Sequence, residues 1–529
     1  MLLQQFIRRQ AKVRPKAVAL RLRSANLSYE ELWASVELCA RGLVSLGLNR
    51  SERVAVYLPK QFETVIGLFG VAAAGGVFVP INPVLKPHQV AYILKDCNAR
   101  VLITSSDRLV PLSDSLLDCH DLQHIVVMSG NGGGLPSALI SRVVVWEELI
   151  RAGHERFKLH QRIDTDIVAI LYTSGSTGRP KGVVLSHRNL VAGARSVAEY
   201  LENVPEDRLL AVLPFSFDYG LSQLTTAFSV GASVVLMDYL LPRDVIKGVA
   251  TEEITGLAAV PPLWIQLAQL EWPESARTLR YITNSGGKLP IATIRMLRKV
   301  LPKTRIYLMY GLTEAFRSTY LPPDQVDSRP DSIGKAIPNV EVRVVRADGS
   351  ECAPGEPGEL VHRGSLVALG YWNDPEKTAE RFRPVPGQPP ELPIQEIAVW
   401  SGDQVRQDEE GYLYFVGRQD ELIKTSGYRV SPTEIEEVIY ASELAVEAVA
   451  LGAPHPTLGQ GIVVVLQPTV KGADTKESLL AYCRDQLPNF MVPQAFVFRD
   501  ALPRNANGKI DRRALADELQ DIFEAEASS

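Results

Sequence analysis

Short apolar segments alternate with helix-like segments through the first third of the chain. The strand-like segments are RVAVYL (53–58), RVLITS (100–105), HIVVM (124–128) and IVAILYT (167–173), and helix-like segments such as FETVIGLFGVAAA (62–74) and HQVAYILKDC (88–97) lie between them. Strands need a sheet for their hydrogen bonds, and amphipathic helices need a surface to cover, so this order is typical of sheets layered with helices. The sequence therefore predicts the α/β class.

The pattern changes twice further along the chain. After about residue 340, short strand-like pieces such as VEVRVV, GELVHRG and GYLYFVGR lie between Gly and Pro turns, which predicts a β-rich subdomain, a distorted barrel. From residue 420 onward, strand-like and helix-like segments follow one another in a unit of about 110 residues. We predict a large N-terminal domain over residues 1–419, with layered α/β subdomains and the β-rich subdomain, and a small α+β C-terminal domain over residues 420–529.

Composition excludes several classes of protein. With 46% apolar and 22% charged residues the chain is typical of a globular protein, and its net charge of -5 offers no basic surface for nucleic acid. The N-terminal segment lacks the apolar core of a signal peptide, and no apolar run is long enough to predict a membrane span. The five cysteines form no CxxC pair, which argues against a zinc site or a disulfide framework and favours a reducing cytoplasm.

The loop LYTSGSTGRPKGVVLSH, residues 171–187, follows an apolar strand and is rich in Gly, Ser and Thr. Small residues let backbone N–H groups approach an anion, hydroxyls add donors and a lysine adds charge, as a polyphosphate requires. Read alone, such a loop is also consistent with a surface linker, and its spacing is not that of a Walker A loop. The candidate phosphate-binding residues are Thr173, Ser174, Gly175, Ser176, Thr177, Gly178 and Lys181.

Further motifs follow in a fixed order. They are SGGKLP (285–290), YGLTE (310–314), LVALGYWNDPEKTAERF (366–382), SGDQV (401–405), GRQDELIKTSGYRVSPTEIE (417–436), LPNFMVP (487–493) and NANGKIDR (505–512). With the YTSGSTGRPKG loop, this set resembles the adenylate-forming (ANL) superfamily of AMP-forming acyl-CoA synthetases and ligases over nearly the whole chain. Within it, the chain is most similar to the acyl-CoA ligases found with exosortase A systems.

The resemblance implies an ATP- and Mg²⁺-dependent acid–thiol ligase. Such an enzyme forms an acyl-adenylate from a small carboxylic acid, releases pyrophosphate, and transfers the acyl group to CoA or to the phosphopantetheine of an acyl carrier protein. Three alternatives remain open: an amino-acid-activating carrier-protein ligase, a nucleotide- or acyl-binding module without turnover, and a luciferase-like oxidation of the adenylate.

The resemblance also assigns roles around the nucleotide. Tyr310 would pack on adenine, Thr313 would contact the α-phosphate and Glu314 would hold Mg²⁺, which suits a hard carboxylate oxygen. Lys509 would bridge the carboxylate and phosphate oxygens as a positioned point charge. The remaining nucleotide-binding candidates are Gly286, Gly287, Asp403, whose carboxylate can accept from both ribose hydroxyls, and Arg418.

A two-conformation cycle is implied for the small domain, which is therefore expected to be mobile. Asp420 matches the hinge, and rotation about it would bring a different face of the small domain, around Lys424, to the adenylate. Gly427 would let a pantetheine arm approach the backbone.

The segment PFSFDYGL (214–221) matches one wall of the acyl pocket, with Phe217, Asp218 and Tyr219 as pocket candidates. A buried carboxylate such as that of Asp218 is costly unless a cation or hydrogen-bond donors satisfy it. Two interpretations stay open. Asp218 caps a helix that ends at Gly231, or it pairs with the ammonium group of an amino-acid substrate.

Overall fold

The computed structural model describes residues 1–128, 135–155, 157–173, 180–418, 421–425, 428–455, 458–469, 475–505 and 508–523. Residues 174–179, 420 and 427 therefore lie outside the described chain. These include the predicted phosphate-loop residues Ser174, Gly175, Ser176, Thr177 and Gly178, the predicted hinge Asp420 and the predicted pantetheine contact Gly427.

The strands within the described residues, in chain order, are β1 (Val18–Leu22), β2 (Ala25–Ser28), β3 (Arg53–Tyr57), β4 (Val77–Pro80), β5 (Ala99–Ser105), β6 (His124–Met128), β7 (Val143–Val145), β8 (Ile167–Thr173), β9 (Lys181–Ser186), β10 (Arg208–Ala211), β11 (Ser233–Leu236), β12 (Gly256–Ala259), β13 (Tyr281–Asn284), β14 (Arg305–Tyr310), β15 (Thr319–Leu321), β16 (Ser332–Ala336), β17 (Val340–Val345), β18 (Gly358–Gly364), β19 (Phe382–Pro384), β20 (Ile397–Gln407), β21 (Leu413–Arg418), β22 (Ile423–Thr425), β23 (Tyr428–Val430), β24 (Ala445–His455), β25 (Gly459–Pro468) and β26 (Ala495–Phe498).

The α-helices of the same residues are α1 (Gln5–Val13), α2 (Tyr29–Ser45), α3 (Phe62–Ala74), α4 (Pro87–Asp96), α5 (Ser106–Leu117), α6 (Ser137–Ile140), α7 (Trp146–Ala152), α8 (His187–Tyr200), α9 (Asp218–Val230), α10 (Pro242–Thr251), α11 (Pro261–Ala268), α12 (Ile291–Val300), α13 (Pro375–Arg381), α14 (Pro432–Ala441), α15 (Thr475–Gln486) and α16 (Arg512–Glu518). Short 3-10 turns cover Glu274–Thr278, Thr313–Ala315 and Asn489–Met491. No helix of the described chain is both long enough and apolar enough to cross a bilayer.

A seven-stranded sheet has the order β7-β6-β5-β3-β4-β8-β9. All its neighbours are parallel except the hairpin of β8 and β9, which flanks residues 174–179. Helix α3 is buried on nearly every side. Its residues are apolar on all faces of the helix, as expected for that position. Gly67 of this helix packs next to Ile103 of the sheet. The Phe69 ring makes an edge contact with Phe228 of α9. Helix α3 thus joins this sheet to the next layer.

The larger sheet has 14 strands. A parallel stretch of β1 and β10 to β14 continues through the antiparallel strands β15 and β16 into β21, β20, β18 and β17. The α/β prediction is confirmed. The β-rich region is present, but its prediction as a distorted barrel is wrong. Within the described residues its strands continue the large sheet without closing, because β15 pairs with β14 and β16 pairs with β21.

The small domain contains a five-stranded sheet in which β24 and β25 form the long antiparallel pair and β26 joins β25 in parallel. One face of this sheet packs on α14 and α15, and the other packs on α16. The α+β prediction is confirmed. Because the turn between β26 and α16 carries Lys509, the sheet holds this lysine at the edge that faces the large domain.

Candidate active site

A cavity of about 350 Å³ lies where strands β13 and β14 end and the small domain meets the large one. We call it the central cavity. In parallel sheets, ligands bind at the carboxyl ends of the strands, and this cavity has that position. The predicted site residues that line it are Thr173, Lys181, Phe217, Asp218, Gly286, Gly287, Tyr310, Thr313, Glu314, Asp403, Arg418 and Lys509.

Two predicted residues of the described chain do not line the central cavity. Tyr219 is fully buried behind its wall, with its hydroxyl bonded to Thr283 and its ring edge-on to Phe217. Lys424 is exposed on β22 of the small domain, where its backbone N–H donates to Gln460. In this orientation of the domains Lys424 therefore lies outside the cavity that Lys509 enters.

Tyr310, Asp403 and Arg418 form one polar cluster in the cavity wall. The Tyr310 hydroxyl donates to the carboxylate of Asp403, and Arg418 Nε lies 3.2 Å from the other carboxylate oxygen. Strand β20 pairs with β21 so that Asp403 is directly opposite Arg418. Burial raises the pKa of Asp403, and the Arg418 charge opposes this shift. The cluster presents an aromatic ring beside a carboxylate, a combination suited to a base and its ribose.

Glu314 lines the same cavity from the short turn that follows β14. Its Oε1 accepts a hydrogen bond of 2.6 Å from the hydroxyl of Tyr371, whose ring lies 5.3 Å from the ammonium of Lys181. No group of three or more metal-binding His, Cys, Asp or Glu side chains occurs among the described residues. A single carboxylate in a cavity fits Mg²⁺, which proteins often hold through one or two carboxylates together with substrate phosphates.

Lys509 enters the cavity from the small domain on a tight turn. Gly508 has φ +79°, and the backbone N–H and carbonyl of Lys509 both bond to Asn505. Its ammonium lies 5.1 Å from the centre of the Phe217 ring. A Cβ on Gly286 would come within 2.9 Å of Lys509 Cε and would displace the end of this side chain, and the φ of +84° at Gly286 also favours glycine. Burial of the ammonium lowers the pKa of Lys509, and the carboxylate of Asp218 opposes this shift.

Asp218 does not cap helix α9 in the way the sequence suggested. The helix runs from Asp218 to Val230 and ends at Gly231, as predicted. Phe217 occupies the N-cap position, and no side chain accepts a capping hydrogen bond at the start of the helix. Asp218 lies one residue too far along the chain, inside the first turn. Its carboxylate instead lies 3.3 Å from Nη1 of Arg317, and both side chains are almost completely buried.

The segment that precedes α9 is a wall between two cavities. Phe217 and Asp218 line the central cavity, whereas Pro214, Phe215 and Ser216 line a second cavity of about 500 Å³, the side cavity. The side cavity also contacts Lys60, Arg108 and Arg504. Asp238 also lines the side cavity and pairs with Lys60 at 2.7 Å.

Sequence reasoning missed Arg317 and Tyr371. Arg317 stands in the otherwise apolar and hydroxylic run AFRSTY directly after YGLTE, and Tyr371 follows the glycine in LVALGYW. Their position next to recognised motifs was the available signal. Nothing in the local pattern indicates their partners, because Asp218 and Glu314 are 99 and 57 residues away along the chain.

The family model described as AMP-binding enzyme matches residues 7–372. The chain belongs to the AMP-binding enzyme family. The model of the AMP-binding enzyme C-terminal domain matches residues 434–509, which end at the lysine of the central cavity. The fold has the two parts of this family, and the resemblance drawn from the motifs is confirmed at this level. The likeness to exosortase A-associated ligases and the boundary at residue 419 stay predictions.

Relatives in this family differ in length and in named activity. The long-chain-fatty-acid–CoA ligase of Escherichia coli O157:H7 is 31% identical over 90% of this chain and 87% of its own. Gramicidin S synthase 2 of Aneurinibacillus migulanus is 30% identical over 97% of this chain, which spans only 11% of that synthase.

Solved structures of the family superpose over almost the whole chain. ATP-bound MatB from Rhodopseudomonas palustris has a TM-score of 0.83 and 27% identity, covering 99% of this chain and 100% of its own. A benzoate CoA ligase from Burkholderia xenovorans LB400 has a TM-score of 0.85 and 25% identity, covering 98% and 100%.

Proposed function

We propose that the protein is an ATP-dependent, AMP-forming acid–thiol ligase. It activates a small carboxylic acid as an acyl-adenylate with release of pyrophosphate, and then transfers the acyl group to a thiol. The observation that carries the proposal is the convergence of Lys509, Glu314 and the pair Asp403–Arg418 on one cavity beside the apolar face of Phe217.

Adenylation requires an anionic carboxylate to approach an anionic phosphate, so the site has to offset repulsion and stabilise spreading charge. Asp403 and Tyr310 hold the ribose and base at one end. Lys509 lies between that end and Phe217, where its ammonium contacts the oxygens of both reactants. Thr313 donates to the α-phosphate from the turn after β14. Glu314 would hold a Mg²⁺ ion together with the phosphates, and the ion would supply positive charge against the pyrophosphate that leaves.

The positively charged form of Lys509 is the useful one. Because burial lowers the pKa of this lysine, the fold works against its charge until anions arrive. Binding of ATP and the acid brings negative charge next to the ammonium and favours its protonated form. Lys509 thus acts as a point charge in the transition state and not as a base.

Transfer to the thiol uses the other side of the wall. The side cavity reaches Pro214–Ser216 and is lined by Lys60, Arg108 and Arg504, of which Lys60 pairs with Asp238 and Arg504 with Glu447. Its position at the wall supports a thiol carried on a long arm, such as CoA or a carrier-protein phosphopantetheine. Lys424 lies outside the central cavity in this orientation. We propose that the small domain turns about Asp420 after adenylation and brings Lys424 and Gly427 to the thiol. This rotation would break the ion pair between Lys288 of the large domain and Glu437 on α14, whose Nζ and Oε1 atoms are 3.5 Å apart.

The relatives support this assignment. A fatty-acid CoA ligase and a benzoate CoA ligase cover most of this chain, and MatB has been solved with ATP. CoA is therefore the preferred acceptor, and an acyl carrier protein is the alternative. The five cysteines are free thiols, four of them buried, as expected for a protein of the reducing cytoplasm, where we place it.

The test is a coupled assay on the full chain with ATP, Mg²⁺, CoA and a panel of fatty, aryl, dicarboxylic and amino acids. Formation of AMP, pyrophosphate and a thioester in equal amounts with at least one acid is expected. ATP hydrolysis to ADP, or nucleotide binding with no acid-dependent pyrophosphate release across the panel, would contradict the proposal and favour a binding module.

A further inference from the structure

The buried ion pair of Asp218 and Arg317 lies in the acyl end of the central cavity. Both side chains line the cavity and are at most 4% exposed, and the Nη1 to Oδ2 distance is 3.3 Å. Burial raises the pKa of Asp218, and the charges of Arg317 and then Lys509 oppose this shift. A buried carboxylate is tolerated only with a cation or donors nearby, and here the chain supplies that cation itself.

The fold fixes Arg317 in place from two sides. Its guanidinium lies 4.6 Å from the centre of the Tyr219 ring, and the preceding Phe316 has φ +53°, an unusual conformation for a residue with a side chain. The Phe316 ring is packed so closely on helix α8 that a Cβ at Gly193 would come within 2.4 Å of it. Strained backbone persists only where the surroundings over-determine it. The position of Arg317 is therefore set by the fold.

We infer that Arg317 fills, from within the chain, the place where a substrate ammonium would otherwise balance Asp218, so that the pocket takes carboxylic acids without an α-amino group. An ammonium placed beside Asp218 meets Arg317 and Lys509, two cations that already act on this carboxylate, and Asp218 is paired with Arg317 at 3.3 Å. Arg317 is thus a specificity-determining residue. The inference rests on the proposed adenylation and deepens it by naming the substrate class.

The first test compares acids that differ only in the amino group: 3-phenylpropanoate with phenylalanine, and hexanoate with norleucine. ATP–pyrophosphate exchange by the wild type is expected to favour the acid in each pair by about 100-fold or more, and Arg317→Met is expected to reduce that ratio by at least about tenfold, because Asp218 is left without its cation. Arg317→Lys keeps a cation and should keep the ratio.

A double variant separates the charge from a general loss of structure. Asp218→Asn with Arg317→Met removes both charges at similar volume, and it should favour the acids as the wild type does because no carboxylate remains for an ammonium. Equal use of acid and amino acid by the wild type, or an unchanged ratio in Arg317→Met, would overturn the inference. Thermal unfolding of each variant shows whether it is folded.

Binding gives a readout that does not need turnover. Calorimetry with the sulfamoyl-adenosine analogues of 3-phenylpropanoate and of phenylalanine measures the same ratio on the full chain. Tighter binding of the amino-free analogue by the wild type, with the gap closing in Arg317→Met, supports the inference even if the coupled assay finds no turnover and so refutes the proposed function. Equal binding of the two analogues by both proteins refutes the inference even if turnover is found.

Discussion

The hydroxyl of Tyr371 donates to Oε1 of Glu314 over 2.6 Å, while the face of the same ring lies 5.3 Å from the ammonium of Lys181. One side chain from the segment between β18 and α13 therefore orients the carboxylate that we assign to Mg²⁺ and contacts the lysine that follows the phosphate loop. Residues that orient a metal ligand commonly affect metal affinity as strongly as activity.

Tyr371→Phe is expected to raise the Mg²⁺ concentration needed for half-maximal pyrophosphate exchange by about tenfold, because Glu314 loses the donor that fixes its carboxylate. A magnesium titration at fixed ATP measures this. Tyr320→Phe is the control, since the Tyr320 ring stacks on Tyr200 away from the central cavity. An unchanged magnesium dependence in Tyr371→Phe would show that the hydrogen bond does not position Glu314.

Two lysines of the small domain should separate the two half-reactions. Lys509→Ala is expected to lower pyrophosphate exchange by at least about 100-fold, because a positioned charge in the transition state is lost. Lys424→Ala should leave exchange within about threefold of wild type while thioester formation falls, since Lys424 lies outside the central cavity in the present orientation. Exchange and thioester formation are measured separately, with and without CoA. Equal losses in both assays for both variants would contradict the proposed division of roles.

The pH dependence of exchange should report the charge of Lys509. Burial lowers the pKa of this lysine from the ordinary 10.5 in the protein without substrates, so kcat/KM for exchange, measured below saturation, should decline on an alkaline limb below that value. The charged groups that act on it are Asp218, Asp403, Arg317 and Arg418. Lys509→Arg keeps its charge and should lose the limb while retaining partial activity. Profiles of the two proteins with the same limb would assign it to another group.

Gly286→Ala is expected to lower exchange by about tenfold or more with a smaller effect on stability, because the added Cβ meets Lys509 Cε at 2.9 Å and Gly286 has φ +84°. Gly355→Ala is the matched control, since Gly355 has φ +83°, lies outside the central cavity and has no described atom within 4 Å of an added Cβ. Exchange rates and unfolding midpoints of both variants separate a loss of activity from a loss of stability. Similar effects of the two substitutions would mean that the approach of Lys509 is not what requires glycine.

His362 should make the large domain sensitive to acid. It is fully buried on β18, its ring nitrogens have no hydrogen-bond partner among the described residues, and burial lowers its pKa from 6.5 to about 3. The unfolded chain binds a proton below pH 6.5 and the folded chain does not, so the free energy of unfolding falls as the pH drops from 6.5 towards 3. This histidine contributes a slope of up to about 1.4 kcal/mol per pH unit.

His362→Leu removes that contribution at similar volume. In urea unfolding between pH 8 and pH 4, the free energy of unfolding should depend less on pH in the variant than in the wild type. The difference in this free energy between the two proteins at pH 8 is the baseline, since the imidazole is neutral in the folded and unfolded states there. Parallel curves for the two proteins would contradict a buried neutral imidazole at this position.

Local patterns were sufficient for much of the fold. The alternating segments predicted β3, β5, β6 and β8 with the helices α3 and α4 between them, and the glycine at residue 231 correctly ended α9. Capping depends on one residue of register, however, and the pattern could not distinguish Asp218 from Phe217 as the residue at the N-cap.

Partners far apart in the chain could not be predicted in this way. Arg317 reaches Asp218 only because β14 and helix α9 lie in adjacent layers, and Tyr371 reaches Glu314 through the contact of residues 369–371 with β9. Motifs identified the side chains that we assign to the nucleotide. The side chains that hold those residues, or choose among acids, became visible only when the layers were assembled.

The wall at residues 214–218 couples the acyl pocket to the cavity that we propose for the thiol. Neighbouring residues of one short segment face different cavities, Ser216 the side cavity and Phe217 the central one. A substitution that reshapes the pocket for one acid therefore acts on the same short segment against which we propose that the thiol arm lies. Substitution of Arg317 reaches this segment as well, because its ion-pair partner Asp218 is the last residue of the wall.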